Sequence, residues 1–294
     1  MAQITLLDGG MGQELTHRAP EAPTPLWGTQ VMIDHPGLVQ RIHADYFAAG
    51  ATVATTNSYA IHHDRLAGTP QEGAYAKLHA LSLAEAEAAR EAHGSGRIAG
   101  SIGPLGASYR PELHPAHDAA VALYAENAAQ MTGCDLILCE TIASVAHARA
   151  ILEGAQAAKR PVWLAMTVDD RDGTRLRSGE SLAEVLAVAR GAEALLVNCS
   201  APEAIHDALP ILAQGGLPFG AYANGFVKIT SEFLEDKPTV AALTSRDLSP
   251  EAYADHAMRW IEAGATIVGG CCEVGPAHIA HLAQRIVQAG HEIV

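Results

Sequence analysis

The sequence predicts an α/β protein, a (β/α)8 TIM barrel in a single domain, and three observations carry that expectation. Short runs rich in Val, Ile and Leu alternate with longer segments of helical period, the signature of repeated strand–helix units. Eight such units can be read along the chain. The runs are nearly continuous in apolar residues, as strands covered on both faces require, and 294 residues suit one barrel. A doubly wound open sheet would give the same alternation, so eight units favour closure without proving it. The expected domain spans 1–294.

In order, the expected strands are 4–7, 52–56, 97–102, 136–139, 162–166, 194–197, 219–223 and 266–268. Two of the helices between them have readable ends. Pro36 opens one over 37–49 that Gly50 closes, and Ser249 with Pro250 opens one over 251–263 that Gly264 closes. The phrases FAAGATVATT (47–56) and IEAGATIVGG (261–270) are near copies, each a helix ending in Ala-Gly that turns into a buried strand. The stretch 225–248 has no clear element and carries Lys228, Glu232, Glu235, Asp236 and Lys237. Following the seventh strand, it reads as a lid or wall of the active site.

Composition narrows the partners. With 49% hydrophobic and 18% charged residues the chain is an ordinary globular one. Its 19 basic and 33 acidic side chains give a formal charge of −14, which disfavours nucleic acid and anionic membrane surfaces and favours small-molecule partners. No apolar run is long enough for a membrane helix, and the start lacks a secretory pattern, so a cytoplasmic protein is expected. Five cysteines without a disulfide framework are expected to be thiols. Of the 15 histidines most read as exposed and neutral, and His62-His63-Asp64 is not read as a metal site because no second pair at ligand spacing supports it. His114 and His117 read as capping or surface groups.

Barrel enzymes place their chemistry at the carboxyl ends of the strands. Here those ends carry Asp8, Asn57, Gly103-Pro104, Glu140, Thr167, Cys199, Asn224 and the pair Cys271-Cys272. Cys134 and Cys139 fall elsewhere and read as buried free cysteines. Adjacent residues of a regular strand point to opposite faces, so Cys271 and Cys272 need a bend to serve one site, which Gly269-Gly270 is placed to permit. Three thiolates with a fourth position open suit a catalytic zinc; two packed core cysteines remain the alternative. Asp8-Gly9-Gly10 also reads as a strand-to-helix turn, and Asn224 as a turn residue before Gly225.

Seven motifs, LLDGGMGQEL (6–15), ATTNSY (54–59), GSIGPLG (100–106), CETI (139–142), VNCS (197–200), AYANG (221–225) and VGGCCEVGPAHI (268–279), resemble in order those of the homocysteine S-methyltransferase family. The resemblance implies a barrel that holds zinc on Cys199, Cys271 and Cys272, with the homocysteine sulfur as a fourth ligand. It further implies that backbone amides after Asp8, at Gly9 and Gly10, take the substrate carboxylate, that Glu140 with Asp8 holds the ammonium, and that Asn224 lies near the metal. The methyl donor implied is a sulfonium, S-methylmethionine or S-adenosylmethionine, and the product methionine. A betaine-type donor with the same acceptor, and a non-catalytic barrel that binds zinc or homocysteine, stand as alternatives. An aldolase or isomerase of phosphorylated substrates fits less well, since GGCCEVG offers acid where a phosphate cradle needs bases.

Overall fold

The eight repeating units close on themselves. The computed structural model describes residues 1–21, 24, 26–226 and 244–294. Its strands are β1 (Gln3–Leu6), β2 (Val53–Thr55), β3 (Arg97–Ile102), β4 (Leu136–Ile142), β5 (Val162–Met166), β6 (Ala194–Asn198), β7 (Phe219–Tyr222), β8 (Ile267–Val268) and β9 (Glu292–Ile293). Neighbours from β2 to β8 pair in parallel, and β8 pairs with β1. The ring shuts where Leu7 bridges Val53 and Thr52 N donates to the Leu6 carbonyl at 2.7 Å. Closure removes the sheet edges that an open arrangement would leave. The additional β9 lies against the first half of β1, with Gln3 opposite Glu292.

The helices are α1 (Met11–Arg18), α2 (Trp27–Asp34), α3 (Leu38–Ala48), α4 (His63–Leu66), α5 (Tyr75–His93), α6 (His117–Ala129), α7 (Val145–Ala155), α8 (Ala183–Leu186), α9 (Pro202–Leu212), α10 (Pro250–Glu262) and α11 (Pro276–Gln288). Side chains alternate between two cores, as the two-residue period of a strand dictates. Leu7, Val53, Ala99, Leu138, Ala165 and Leu196 fill the barrel interior. Ile4, Leu6, Ile98, Ile137, Leu164 and Val197 face the helices.

Helix ends follow their sequence signals. Gly50 and Gly264 both adopt left-handed angles, φ 104° and 101°, that a side chain would resist. Ser249 accepts from Ala252 N to cap α10. At the start of α3 the cap is remote, since Glu85 of α5 accepts from Gly37 N and Gln40 N, each at 2.9 Å. Of the stretch read as a lid, 227–243, with all five of its named charged residues, lies outside the described residues. Its flanks are joined by a bridge between Phe226 and Ser245 and by Arg246 N donating to the Gly225 carbonyl.

Several histidines depart from the exposed role expected of them. His43, His62, His79 and His147 are buried between the barrel and its helices. The tripeptide His62-His63-Asp64 splits three ways, to Asn127, to Glu126 and to the amide of Gly106, which accounts for its failure to form a site. His114 ends the short helical turn Pro111–Leu113, its amide donating to the Pro111 carbonyl, and its ring packs against His147 with centroids 4.7 Å apart, while His117 pairs at the surface with Glu153.

Burial holds these four imidazoles neutral, pushing His43 down to about 3 and His79 to about 4, with His62 and His147 well below the usual range. Below about pH 6.5 the unfolded chain takes up protons that the fold refuses, so each such group lowers stability by about 1.4 kcal/mol per pH unit. Buried Asp8 and Glu140, raised to about 7 and about 6, bind protons in the folded state first and act in the opposite direction. The net expectation is a loss of stability from pH 6.5 to 4.5. Urea unfolding across that range should show it, and His147→Gln should flatten the slope by about one proton's worth, about 1.4 kcal/mol per unit.

Candidate active site

At the carboxyl ends of the strands, the loops after β6 and β8 bring three sulfurs together. Sγ atoms of Cys199, Cys271 and Cys272 lie within 4.8 Å of one another, the one group of this kind among the described residues. Cys199 takes a left-handed angle, φ 46°, as the chain leaves β6. That angle is costly for a side-chain-bearing residue and needs outside support. Tyr222 O accepts its amide at 3.2 Å, and its carbonyl accepts from Thr167 Oγ1 at 3.2 Å and Arg177 Nη2 at 3.4 Å. Arg177 is itself fixed by a bidentate pair with Asp170 at 2.8 and 2.9 Å.

The bend that frees the adjacent cysteines passes through Gly269-Gly270, as the sequence suggested, but not by unusual backbone angles at the glycines. Neither Gly269 nor Gly270 is left-handed; the positive angle of the turn falls on Glu273, φ 65°. The glycines are needed for close approach instead. A Cβ on Gly270 would stand 2.2 Å from Val274 Cγ1, and one on Gly269 would stand 2.5 Å from Leu7 Cβ. Gly9 and Gly10 meet the same turn from the other side. A Cβ on Gly10 would reach Cys271 O at 2.7 Å, and one on Gly9 would overlap the Val274 carbonyl. Gly10 N donates to that carbonyl at 3.0 Å, so it is already engaged. Met11, Gly12 and Gln13 line the cavity at the first turn of α1, where backbone amides have no acceptor within the helix.

A cavity of about 130 Å³ extends from the sulfurs to two buried carboxyls, with Asp8, Gly9, Gly10, Glu140, Cys199, Cys271 and Cys272 all on its wall. Asp8 accepts from Thr55 N at 2.7 Å and Thr55 Oγ1 at 2.8 Å. Glu140 accepts from Ser101 Oγ at 2.5 Å and Tyr222 OH at 3.1 Å. Strand β4 runs past the expected end, and its register shifts between Cys139 and Ile142. Such an irregularity re-aims a side chain at a barrel rim, here Glu140, while Asn198 Oδ1 accepts from the amide of left-handed Thr141 at 2.9 Å. Burial raises Asp8 to about 7, against the lowering effect of the Thr55 bonds, and raises Glu140 to about 6. Burial, then the nearby Glu273 and Glu140 carboxylates, pushes the Cys272 thiol up to about 12. A cation placed among these groups would oppose all three shifts.

Asn224 stays off the cavity wall; its Oδ1 accepts from Phe226 N at 3.1 Å. Sequence reading missed the groups that hold the carboxyls, Thr55, Ser101 and Tyr222, although each lies in a quoted motif one residue before the end of its expected strand. It also missed an aromatic wall of Trp27, at the start of α2, and of Tyr59, Tyr109 and Phe226 outside the helices and strands. Only burial, which no short motif records, would have marked these.

One expectation is corrected outright. Cys199 and Cys271 are paired as a disulfide, leaving Cys134, Cys139 and Cys272 free. Sulfurs gathered closely enough to share one ion are also close enough to bond to each other. The donor set fits a tetrahedral zinc site, three thiolates converging beside a cavity, and that use and the disulfide exclude each other. Thiol titration of the denatured, unreduced protein should therefore find three reactive thiols, rising to five after reduction; Cys271→Ala should show four with or without reductant. Five in the unreduced wild type would remove the pairing.

The model of the family described as homocysteine S-methyltransferase matches residues 5–286. The chain is 32% identical to homocysteine S-methyltransferase of Escherichia coli (strain K12), covering 96% of this chain and 95% of that one. It is 28% identical to homocysteine S-methyltransferase YbgG of Bacillus subtilis (strain 168), over 95% and 93% of the two chains. With selenocysteine Se-methyltransferase of Brassica oleracea var. italica it shares 25% identity over 96% and 88%. Among solved structures it resembles the metallated and oxidised forms of the homocysteine methyltransferase MmuM from Escherichia coli. Their TM-scores are 0.79 and 0.80, each at 31% identity over 96% of both chains.

Proposed function

This chain belongs to the homocysteine S-methyltransferase family, and from that premise we propose that it is a zinc-dependent enzyme, one functional unit over 1–294, that moves a methyl group from a sulfonium donor to the homocysteine thiol. Methyl transfer to homocysteine is the activity of the family. The observation that supports the fuller reading is one cavity joining a three-sulfur cluster to two buried carboxyls. A zinc held by Cys199, Cys271 and Cys272 would supply the positive charge that ionises and holds the acceptor thiol at neutral pH.

The remaining roles fall to the protein's own groups. Glu140 and Asp8 stand ready to hold the acceptor ammonium, which would lower both raised carboxyls and favour their charged forms. First-turn amides of α1 at Met11 to Gln13 lie where a carboxylate would be welcome, at the positive end of the helix dipole. Trp27, Tyr59, Tyr109 and Phe226 give the cavity an aromatic wall that suits a cationic donor. The acceptor sulfur forms a bond to the donor methyl carbon, the carbon–sulfur bond of the sulfonium breaks with its pair kept on sulfur, and the thiol proton leaves to solvent. Because the leaving group departs neutral it needs no acid, so positioning and thiol activation carry the rate.

The chemistry requires reduced sulfurs, which is why we place the protein in a reducing compartment, the cytoplasm. No helix among the described residues is long and apolar enough to cross a membrane. Asn224 is retained as a group flanking the site through its turn, not as a wall residue.

Reduced protein should bind one zinc per chain and form methionine from homocysteine with S-methylmethionine or S-adenosylmethionine, assayed beside betaine. Cys272→Ala should lose the zinc and at least about a hundredfold in kcat/KM, beyond the usual effect of altering a group behind a ligand. Product from betaine alone would replace the donor; zinc without any product would leave a binding protein. On the acid side, kcat/KM for homocysteine should fall as Asp8 and Glu140 protonate, through about 7 and about 6. A profile flat from pH 8 to 5.5 would detach both carboxyls from the acceptor.

A further inference from the structure

Helix α3 covers the loop after β1 from behind. His43 and Tyr46 stand one turn apart on the buried face of that helix. Tyr46 OH donates to the Val274 carbonyl at 3.2 Å, and a Cβ on Gly9 would come within 2.8 Å of it. His43 is fully buried, and its Nδ1 lies 4.0 Å from Asp8 Oδ2. Asp8 is on the cavity wall and His43 is not, so the imidazole stands behind the carboxyl.

Among the described residues neither ring nitrogen of His43 has a hydrogen-bond partner. The other deeply buried histidines each bind through one nitrogen: His62 to Asn127, His79 to the Ile61 carbonyl and His147 to the Ala143 amide. A buried polar group with no partner is a cost that folds rarely tolerate, and the carboxyl placed to relieve it is that of Asp8. Asp8 Oδ1 accepts from Thr55 Oγ1 and Oδ2 from Thr55 N, so Oδ2 keeps a lone pair for a second donor. Burial keeps His43 neutral, and what it offers is therefore an N–H and not a cation. The distinction matters. A cation beside Asp8 would cancel the charge that holds an ammonium, whereas a neutral donor stabilises that charge and leaves it in place.

We propose that His43 is a positioning residue for the acceptor: its Nδ1–H donates to Asp8 Oδ2 when that carboxyl is ionised beside the acceptor ammonium, closing the 4.0 Å separation to hydrogen-bond length. The imidazole that has no partner beside a neutral carboxyl gains one beside a carboxylate, because a charged acceptor draws an N–H about twice as strongly as a neutral one. The proposal rests on Asp8 holding the acceptor ammonium, as argued above, and names the group that supports its charge from behind. His43 touches neither the acceptor nor the sulfurs, so its effect is confined to the amino-acid end.

The test isolates the ammonium by comparing homocysteine with γ-mercaptobutyrate, the same thiol acid without the amino group, as calorimetric dissociation constants on reduced, zinc-loaded protein. The ratio of the two is the preference for homocysteine. His43→Phe keeps a flat ring and removes both nitrogens; it should lower that preference about tenfold, the effect of losing one hydrogen bond to a charged group. His43→Asn, which returns an N–H near the place of Nδ1, should recover most of it. Since Phe replaces an unpaired polar group, the urea midpoint of the variant should not fall, and His43→Leu repeats the comparison with a smaller side chain. Asp8→Asn tests the premise and should lower the preference at least as far. An unchanged preference in the Phe and Leu variants, with a lowered one in Asp8→Asn, overturns the role of His43 and leaves that of Asp8 standing. Equal weakening of both ligands, or a loss that Asn does not restore, assigns His43 to packing and also overturns it. An unchanged preference in Asp8→Asn overturns both readings.

Discussion

The site depends on a single steric constraint: the loops after β1 and β8 pack backbone against backbone. Gly9 and Gly10 lie where any side chain would strike Val274 O or Cys271 O, and Gly269 and Gly270 where one would strike Leu7 or Val274. Without four such residues the turn over 271–274 could not sit so low in the barrel mouth. With them, two consecutive cysteines that a strand would point apart are presented side by side. The third sulfur arrives by a different device, a left-handed residue held by hydrogen bonds to both sides of its peptide. Thus Thr167, Arg177 and Asp170, which stand outside the first cavity's wall, bear on where Cys199 points.

The fold was legible where one physical signal had one meaning. Strands β3 and β5 begin and end where they were expected, because both lie in short, largely apolar runs covered on two faces. Gly50 and Gly264 closed helices as read, since only a left-handed turn explains a glycine after a helix and before a buried strand. The short β9 was illegible, as two residues pairing with a strand 289 positions away leave no local trace. Histidine misled for a related reason. His62 and His147 look like polar loop and helix residues in sequence, and only the packing of α6 and α7 against the barrel buries them.

The site was legible in its ligand types and less so in its supports. Asp8, Glu140 and the cysteines each lie close to the carboxyl end of a strand, so topology alone collects them. The role of Gly269-Gly270 was placed correctly and explained wrongly: the need is space, not angle, and sequence cannot tell those two uses of glycine apart. The pairing of Cys199 with Cys271 lies 72 residues apart and follows from three-dimensional convergence, which spacing does not express.

Electrostatics ties these parts together. Three sulfurs and two carboxyls share one small, largely apolar cavity, and burial keeps the Cys272 thiol and both carboxyls protonated beyond their usual range. Such a site is complementary to positive charge, because each cation that enters allows one of these groups to ionise and recovers part of the desolvation cost. In the proposed reaction every partner supplies one: the metal, the acceptor ammonium and the sulfonium. Transfer removes the last of them, since the donor arrives as a cation and leaves as a neutral thioether at its reacting sulfur. The interaction that draws the donor against the aromatic wall therefore weakens as the bond breaks, and the same charge balance that favours binding also favours release.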